Sequence, residues 1–368
     1  FAAGAEDEIA STWNRKSWRI VRFRPRVLRP ILHVDTSCII FGNQFSAPFF
    51  IAPAGGGKLA NSEGEVLLTR AAARHGILQW VCNNAGCTMD QMAAARSGRQ
   101  TLYWQIYAKS DLKKSERELR HALELGYTGF ALTVDAVWPG LRERDVRNSL
   151  DDVAAKHNTS ASMEEEEGGG GNADRKARPV YIEFDWISAV TWIRSITNLP
   201  LAIKGIQRWQ DAARCLEFDN VHPWLSNHGG RQLDSAPSSL ETLIDIRKYC
   251  PTLLRSREVI IDGGVTRGAD IVKAFCLGAK GVGLGRGFLF SMVYGKAGVG
   301  KAIRILKHEM ETTMALLGVC SLSELDSSFV SLPTCLENIP ALFPVSTQAI
   351  LMQPGRNFPT GDNFKAMI

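Results

Sequence analysis

The feature that most constrains the fold of this chain is the repetition, eight times over, of a short β-like run followed in most cases by a stretch with helical periodicity. Eight strand–helix units are the sequence outline of a (β/α)8 TIM barrel in the α/β class. In the stretch 62–76, Ser62 is the expected N-cap, Glu65 follows three residues later and Gly76 is the expected stop. The predicted strands are 47–53, 78–83, 101–107, 129–135, 201–205, 223–228, 258–264 and 281–287.

A doubly wound open sheet is the alternative arrangement for alternating strands and helices. Eight units in one chain, with polar residues at the carboxyl ends of most strands, favour closure into a barrel. A chain of 368 residues, of which 45% are apolar, is long enough for one large barrel or two ordinary domains. We expect the barrel domain over residues 1–330. The rest is Pro-rich and aperiodic, so we expect a tail over 331–368 that wraps the surface.

One long spacing interrupts the alternation, between Asp135 and Leu201. This segment contains four consecutive Glu followed by four Gly, a composition that cannot bury apolar surface. We therefore expect a flexible insertion after the fourth strand, at about 150–180. Its place above the carboxyl face of a barrel leaves two interpretations open, a lid or a spacer without function. The composition slightly favours the spacer.

The bulk composition excludes several classes of protein. A net charge of +5 is too weak to indicate nucleic-acid binding, and no apolar run is long enough to predict a membrane span. Eight cysteines without a CxxC pair indicate reduced thiols in an intracellular protein. The chain begins at Phe1 rather than Met, so we expect upstream sequence with a targeting segment or a further domain. The expected location is cytoplasmic, or mitochondrial or peroxisomal if such a signal precedes Phe1.

Polar and special residues gather at the carboxyl ends of the predicted strands, which face the active site in a TIM barrel. Taken singly, an Asp at a strand end is usually a cap and a Lys is usually solvated. A histidine, several cations and two aspartates at strand ends together are hard to explain by packing. The collected residues are Pro53, Ala54, Gly55, Cys82, Gln105, Tyr107, Thr133, Asp135, Lys204, His228, Arg231, Asp262, Gly285 and Arg286.

Several runs in the chain resemble those of the FMN-dependent α-hydroxy acid dehydrogenases and oxidases, the family of glycolate oxidase, lactate oxidase, mandelate dehydrogenase and flavocytochrome-type L-lactate dehydrogenase. The runs are "SNHGGRQLD", "LAIKGIQ", "LTVDA", "YWQIY" and "IDGGVTRGADIVKAFCLGAKGVGLGRGFL". The likeness extends from residue 3 to about Arg304, apart from the insertion. It implies FMN as the cofactor and oxidation of an L-2-hydroxy acid to a 2-oxo acid. It also implies oxygen or a haem-containing cytochrome as electron acceptor, and a homotetramer.

The resemblance assigns catalytic roles to His228, Asp135 and Lys204. Histidine suits a general base because its unperturbed pKa lies near the working pH. A buried carboxylate such as Asp135 stabilises the imidazolium that results. Lys204 would offset the negative charge of the reduced flavin without transferring a proton.

The resemblance also implies residues for the substrate and the cofactor. Arg231 and Arg142 would bind the substrate carboxylate, because a planar guanidinium suits a carboxylate, and Tyr107 would point its hydroxyl at the substrate. The FMN phosphate would lie by the last two strands, where glycines let backbone N–H groups approach. The implied cofactor residues are Pro53, Ala54, Gly55, Cys82, Gln105, Thr133, Lys204, Asp262, Gly264, Gly285 and Arg286.

Departures from the family pattern concern the pocket. The active-site tyrosine of the family precedes the position of Phe1. Gly55 and Gly56 remove side-chain bulk beside the flavin, and Asn84 stands where Trp or Leu usually lines the pocket. Further departures are Cys82 for Ser, Thr266 for Arg and the loop containing Trp138 and Pro139. The emptied wall predicts a hydroxy acid that is longer than lactate and polar at its tail.

Two other functions stay open at this point. An isomerase that uses reduced flavin on the same fold would leave the pairing of His228 with Arg231 unexplained. The altered pocket is also compatible with a flavin-binding relative that has no catalytic activity.

Overall fold

The computed structural model describes residues 2–148 and 183–332, with a closed barrel of eight parallel strands at the centre. The strands are β1 (Arg22–Phe23), β2 (Cys38–Ile40), β3 (Asn43–Phe45), β4 (Phe49–Ile51), β5 (Leu78–Cys82), β6 (Leu102–Ile106), β7 (Phe130–Thr133), β8 (Leu201–Ile206), β9 (Val221–Leu225), β10 (Ile260–Asp262), β11 (Gly281–Leu284) and β12 (Val330–Ser331). The barrel runs from β4 to β11, and the pairs β1–β12 and β2–β3 form two short antiparallel ribbons.

The barrel confirms the predicted fold and excludes the open sheet. Each of the eight predicted strands is present, and each pairs with its neighbour in chain order. The ring closes where β11 pairs in parallel with β4, with Val282 opposite Phe49 and Leu284 opposite Ile51. An open sheet would leave these two strands as edges.

Helices follow most barrel strands and cover the outside of the ring. They are α1 (Ile9–Ile20), α2 (Val66–His75), α3 (Met89–Ala94), α4 (Leu112–Glu124), α5 (143–148), α6 (Trp186–Arg194), α7 (Trp209–Arg214), α8 (Ser239–Tyr249), α9 (Pro251–Ser256), α10 (Gly268–Cys276), α11 (Arg286–Ser291) and α12 (Gly295–Leu317). The long α12 packs against α2 and α10.

The predicted start of α2 is wrong, whereas its predicted end is confirmed. The helix begins at Val66 with Glu65 at the N-cap position, because Gly64 has a φ of +58° and interrupts the helical backbone after Ser62. Gly76 ends the helix in the left-handed conformation, and its N–H bonds back to carbonyl groups of the last turn.

Large aromatic side chains fill the barrel interior beneath the carboxyl rim. Trp80 and Trp224 have ring centroids 5.0 Å apart, and Phe50 meets Trp224 edge-on at 5.2 Å. Tyr103 packs against Trp80 at 4.8 Å, and its hydroxyl donates to the carbonyl of Ile40. Burial of such side chains is the main stabilising contribution of the core.

Two expectations fall largely outside the described residues: the insertion at about 150–180 and the tail over 331–368. Ser331, the first residue of the expected tail, pairs with Arg22 in the β1–β12 ribbon. Across 2–148 and 183–332, no helix combines the length and the apolarity that crossing a membrane requires.

Candidate active site

The imidazole of His228 reaches the rim through a left-handed turn that follows β9. The strand ends at Leu225, earlier than predicted, and φ is +57° at His228, +67° at Gly229 and +74° at Gly230. Such φ values are unstrained for glycine and uncommon for a residue with a Cβ. The side-chain oxygen of Asn227 accepts a hydrogen bond from the Gly230 N–H at 3.1 Å. The paired glycines therefore shape the turn that presents the histidine.

His228 and Asp135 form a hydrogen-bonded pair on the rim. Nδ1 of His228 lies 3.0 Å from Oδ1 of Asp135, whose side chain is 2% exposed. Burial acts to raise the pKa of Asp135, but the charges of His228 and Lys204 and the hydrogen bond outweigh it, and the pKa lies below its usual value. An ionised carboxylate at Nδ1 orients the ring and stabilises its protonated form.

Tyr107 lies on the other side of the imidazole. Its hydroxyl is 3.3 Å from Nε2 of His228. Burial, followed by the nearby acidic groups Cys82 and Asp135, raises the pKa of Tyr107 well above its usual value. The phenol therefore stays protonated at neutral pH, beside the ring nitrogen that Asp135 does not hold.

A glycine next to Lys204 makes room for this pair. Gly205 has a φ of +113° and lies where the register between β8 and β9 shifts. A Cβ at this position would lie 2.6 Å from the Cβ of Asp135. A side chain in place of Gly205 would therefore displace the carboxylate that holds the imidazole.

Lys204 belongs to a buried polar chain that also contains Ser226 and Asp262. Nζ of Lys204 donates to Oγ of Ser226 at 3.3 Å, and that hydroxyl donates to Oδ1 of Asp262 at 2.7 Å. Ser226 also accepts the backbone N–H of His228 at 3.1 Å, and Oδ2 of Asp262 accepts from Nε1 of Trp224 at 3.0 Å. The hydroxyl thus uses its donor and both acceptor positions, which fixes the cation relative to the histidine turn.

Gln105 and Thr133 present a buried amide on neighbouring strands. Nε2 of Gln105 donates to Oγ1 of Thr133 at 2.7 Å, and Oε1 of Gln105 is buried without a partner among the described residues. An unpaired buried acceptor is costly unless a ligand supplies a donor. The pyrimidine edge of a flavin carries an N–H donor and gains negative charge on reduction. The acceptor of Gln105 and the cation of Lys204 therefore fit the expected FMN.

Three expected arginines converge on the loop that follows His228. Nη1 of Arg231 donates to the carbonyl of Ala3 at 2.7 Å, and Nη2 lies 3.4 Å from Oδ2 of Asp145. Nε of Arg142 donates to the carbonyl of Arg231 at 3.1 Å, and Nη2 of Arg286 donates to the carbonyl of Gly229 at 2.8 Å. Burial, followed by the charge of Arg142, lowers the pKa of Arg231 to about 10, so it remains a cation at neutral pH.

On the opposite side of the barrel rim, in the loop that follows β4, Gly55 and Gly56 present only backbone. A Cβ on Gly55 would overlap the carbonyl of Asn84, so the absent side chain leaves no room there, contrary to expectation. Gly56 has a φ of +79°, which a glycine adopts without strain. Cys82 ends β5, and burial raises the pKa of its thiol to about 12, so the thiol is neutral. Pro53 follows β4 directly after Ala52, and Ala54 leads into the two glycines.

The two glycines expected at the phosphate differ from each other. Gly264 has a φ of +73°, and a Cβ there would overlap the carbonyl of Asn14 in α1, so helix packing accounts for this glycine. Around Gly285, a Cβ would meet no atom within 4 Å. Gly285 stands directly before Arg286, the first residue of α11. The open space and the adjacent cation suit a phosphate group at this end of the rim.

Four polar residues of the site were not anticipated from the sequence: Ser226, Gln232, Asp145 and Glu65. Ser226 and Gln232 stand within "SNHGGRQLD", so the motif contained them, but their partners are far away in the chain. Oε1 of Glu65 accepts from Gly57 N at 2.7 Å and from Gly86 N at 3.1 Å, and Oε2 accepts from Cys87 N at 3.1 Å. No local pattern indicates the contacts with Gly86 and Cys87, because they join the loop after β4 to the loop after β5.

Comparison with known proteins agrees with this geometry. The chain is 37% identical over 328 residues to the L-lactate dehydrogenase (cytochrome) of Wickerhamomyces anomalus, covering 88% of this chain and 56% of that protein. It is 34% identical over 333 residues to glycolate oxidase 1 of Zea mays, covering 88% of each. A variant of flavocytochrome b2 with pyruvate bound superposes with a TM-score of 0.81 at 32% identity, covering 98% of this chain and 88% of that one.

The chain thus spans little more than half the length of the lactate dehydrogenase and most of the length of the glycolate oxidase. The model of the FMN-dependent dehydrogenase family matches residues 1–332. This match confirms the expected family of oxidoreductases and FMN as the cofactor of that family. The chain belongs to the FMN-dependent dehydrogenase family.

Proposed function

We propose that this protein oxidises an L-2-hydroxy acid to the corresponding 2-oxo acid. The observation that carries the proposal is the pair formed by His228 and Asp135, with Nδ1 and Oδ1 3.0 Å apart, on two loops that also carry Arg231 and Arg142 and meet through them. A base beside two carboxylate-binding cations is what removal of protons from a hydroxy acid requires. The two relatives support the reaction class, since one is named for lactate and the other for glycolate.

Different residues of the site transfer a proton, stabilise charge and orient the substrate. The substrate loses two protons and two electrons; FMN, when bound, would accept both electrons and one proton, and the other proton goes to His228. His228 takes a proton at Nε2, and Asp135 stabilises the imidazolium through Nδ1. Arg231 and Arg142 hold the substrate carboxylate, and Tyr107, whose hydroxyl lies 3.3 Å from Nε2 of His228, points that hydroxyl at the substrate. Lys204 keeps a positive charge beside the cofactor site, which favours its reduced form.

The pyrimidine edge of FMN is proposed to lie against Gln105, Thr133 and Lys204, and the phosphate against Gly285 and Arg286. The buried acceptor of Gln105 and the open space at Gly285 support this orientation. The remaining residues implied by the resemblance complete the proposed cofactor site, with Asp262 acting through Ser226. They are Pro53, Ala54, Gly55, Cys82, Asp262 and Gly264.

The proposed electron acceptor is oxygen or a haem-containing cytochrome. The name of the lactate dehydrogenase includes a cytochrome, whereas the other relative is named an oxidase, so the two names support different acceptors. We also propose a homotetramer. Comparison of the oxygen-dependent and cytochrome c-dependent rates with one substrate distinguishes the two acceptors.

The substrate proposed is longer than lactate and polar at its tail. The backbone of Asn84 occupies the position beside Gly55, so the exposed side chain of Asn84 is the group that supports this choice of substrate. An amide there offers hydrogen bonds that a short apolar tail leaves unused, a loss of typically about 1–3 kcal/mol once the group is buried. A clear preference for glycolate in catalytic efficiency would contradict this choice of substrate and leave the reaction class unaffected.

The test of the reaction class is anaerobic mixing of the FMN-loaded protein with a panel of 2-hydroxy acids. Loss of the visible absorbance of oxidised flavin with at least one L-hydroxy acid, and formation of the matching 2-oxo acid, is the expected result. An FMN-loaded protein that no hydroxy acid reduces would overturn the proposal in favour of another flavin reaction or a non-catalytic role.

A further inference from the structure

The side chain of Gln232 joins the two loops that carry the proposed catalytic and carboxylate-binding groups. Its Oε1 accepts from the backbone N–H of Gly140 at 3.3 Å and from Nη2 of Arg142 at 3.0 Å. Its Nε2 donates to the carbonyl of Asp135 at 3.2 Å and to that of Trp138 at 3.1 Å. A carboxamide has two donor and two acceptor positions, so all four are used on one loop.

The same two loops also touch through their backbones. A Cβ on Gly140 would overlap the carbonyls of Arg231 and Gln232, so only a glycine allows this approach. Nε of Arg142 donates to the carbonyl of Arg231 at 3.1 Å. The contact made by the amide is therefore part of a continuous seam between the loop after β7 and the loop after β9.

Each loop supplies one member of both functional pairs. The β7 loop carries Asp135 and Arg142, and the β9 loop carries His228 and Arg231. The first pair has its own hydrogen bond of 3.0 Å. The two arginines carry like charges and repel each other, so their spacing depends on groups that hold them in place.

We propose that Gln232 is a positioning residue that sets the distance between Arg142 and Arg231 and thereby the affinity for the substrate carboxylate. The proposal rests on the proposed function, because it assigns the two arginines to the carboxylate. The seam is made entirely by groups of the chain itself, so the site is preorganised and the substrate does not have to bring two cations together.

A positioning role and a merely structural role predict different kinetics. If Gln232 only stabilised the fold, its loss would lower the melting temperature and leave KM unchanged. If it positions the arginines, its loss raises the KM of the hydroxy acid and the Kd of pyruvate in parallel. The kcat should change much less, because the bond between His228 and Asp135 does not pass through Gln232.

The experiment replaces Gln232 with Met, which keeps the volume and removes all four hydrogen bonds. We expect KM and the Kd of pyruvate, measured by calorimetry on the FMN-loaded protein, to rise about tenfold, with kcat within about threefold of the wild type. Gln232→Asn, which retains the amide but is one methylene shorter, should behave like Gln232→Met. Gln100→Met is the matched control. Gln100 donates to the carbonyl of Thr69 at 2.9 Å, away from the rim, so its loss should leave KM unchanged.

A double-variant cycle links the effect to Arg142. In an Arg142→Met background, Gln232→Met should have little further effect on KM, because the group that it positions is gone. Full additivity would overturn the proposal, as would an unchanged KM and pyruvate affinity in Gln232→Met. Should Gln232→Met fail to fold, Gln232→Asn and Gly140→Ala test the same seam. A wild-type protein that oxidises no hydroxy acid would instead reject the proposed function, so the two failures are distinct.

Discussion

Opposite sides of the barrel rim hold their loops together in different ways. In the loops that follow β7 and β9, side chains make the connection: Asp135 hydrogen-bonds to His228, and Gln232 accepts a hydrogen bond from Arg142. In the loops that follow β4 and β5, the backbone of Gly55 lies directly on that of Asn84, and the buried carboxylate of Glu65 accepts hydrogen bonds from N–H groups of both loops. The polar side should therefore be sensitive to changes of charge and donor pattern. The backbone side should be sensitive to a single added methyl group.

The largest expected effect is on the polar side. His228→Gln should keep FMN and reduce the rate of substrate-driven flavin reduction by at least about two orders of magnitude, the usual scale for a general base. The measurement is stopped-flow absorbance under anaerobic conditions. His121→Gln is the control, because the side chain of His121 is half-exposed and pairs with Asp90 at 2.9 Å on the outer surface. An unchanged reduction rate in His228→Gln would remove the histidine from the mechanism.

Replacing Glu65 tests whether its carboxylate stabilises the loops that follow β4 and β5. Glu65→Gln replaces an anion that accepts three backbone N–H groups, and a hydrogen bond to a charged group contributes about 1.5–3 kcal/mol. We expect a loss of unfolding free energy of about that size in urea titrations. Glu63→Gln is the matched control. Its ion pair with Arg70 is half-exposed on both sides, so its loss should cost at most about 1 kcal/mol. Equal losses in the two variants would contradict the assignment.

An added methyl group tests the backbone contact itself. In Gly55→Ala the Cβ overlaps the carbonyl of Asn84, so we expect destabilisation of about 1–3 kcal/mol and a changed preference among hydroxy acids. Gly300→Ala is the control, because its Cβ would meet only the ends of the flexible side chains of His75 and Arg304. It should be neutral or stabilising by up to about 1 kcal/mol, since it lies within a helix. A Gly55→Ala variant with unchanged stability and unchanged preference among hydroxy acids would show that the loops after β4 and β5 can move apart at little cost.

The smallest expected effect is the dependence of stability on pH. The pKa of Asp135 is lower in the folded protein than its ordinary value of 3.8, so the ionised form stabilises the fold. That contribution is complete above 3.8 and is lost as the pH falls through the folded value. Asp135→Asn should therefore differ most from the wild type at neutral pH, with a difference that shrinks in acid.

The control for the pH series is Asp245, whose pKa is shifted in the opposite direction to that of Asp135. Burial, followed by the charge of Glu241, raises the pKa of Asp245 above its ordinary value. Its ionisation therefore costs stability as the pH rises through the folded value. Asp245→Asn should gain stability relative to the wild type at neutral pH and lose that gain in acid. The same trend in both variants would show that the pH dependence has another source.

The barrel could be predicted from the sequence because each strand is a local apolar run and each helix a local periodic pattern. Eight such units leave few ways to bury their apolar faces, and their number favours the closure that β11 and β4 make. The residues around His228 could be singled out because chemistry-bearing side chains stand at strand ends, which all meet on one face. Several boundaries were wrong. At Ser62 and at residue 228 a left-handed backbone interrupts the pattern, and the predicted strand 281–287 ends at Leu284, just before α11 begins.

The sequence by itself therefore determined the barrel, the family and the set of residues on the rim. The tertiary structure alone decided what each of these residues touches. It showed that the backbone of Asn84 packs directly against Gly55 and that α1 packs directly against Gly264. It also showed that the side chain of Gln232 donates a hydrogen bond to the carbonyl of Asp135. The physical reason is that short-range propensities act along the chain, whereas these contacts join loops whose distance depends on barrel closure, strand register and the left-handed turn at His228.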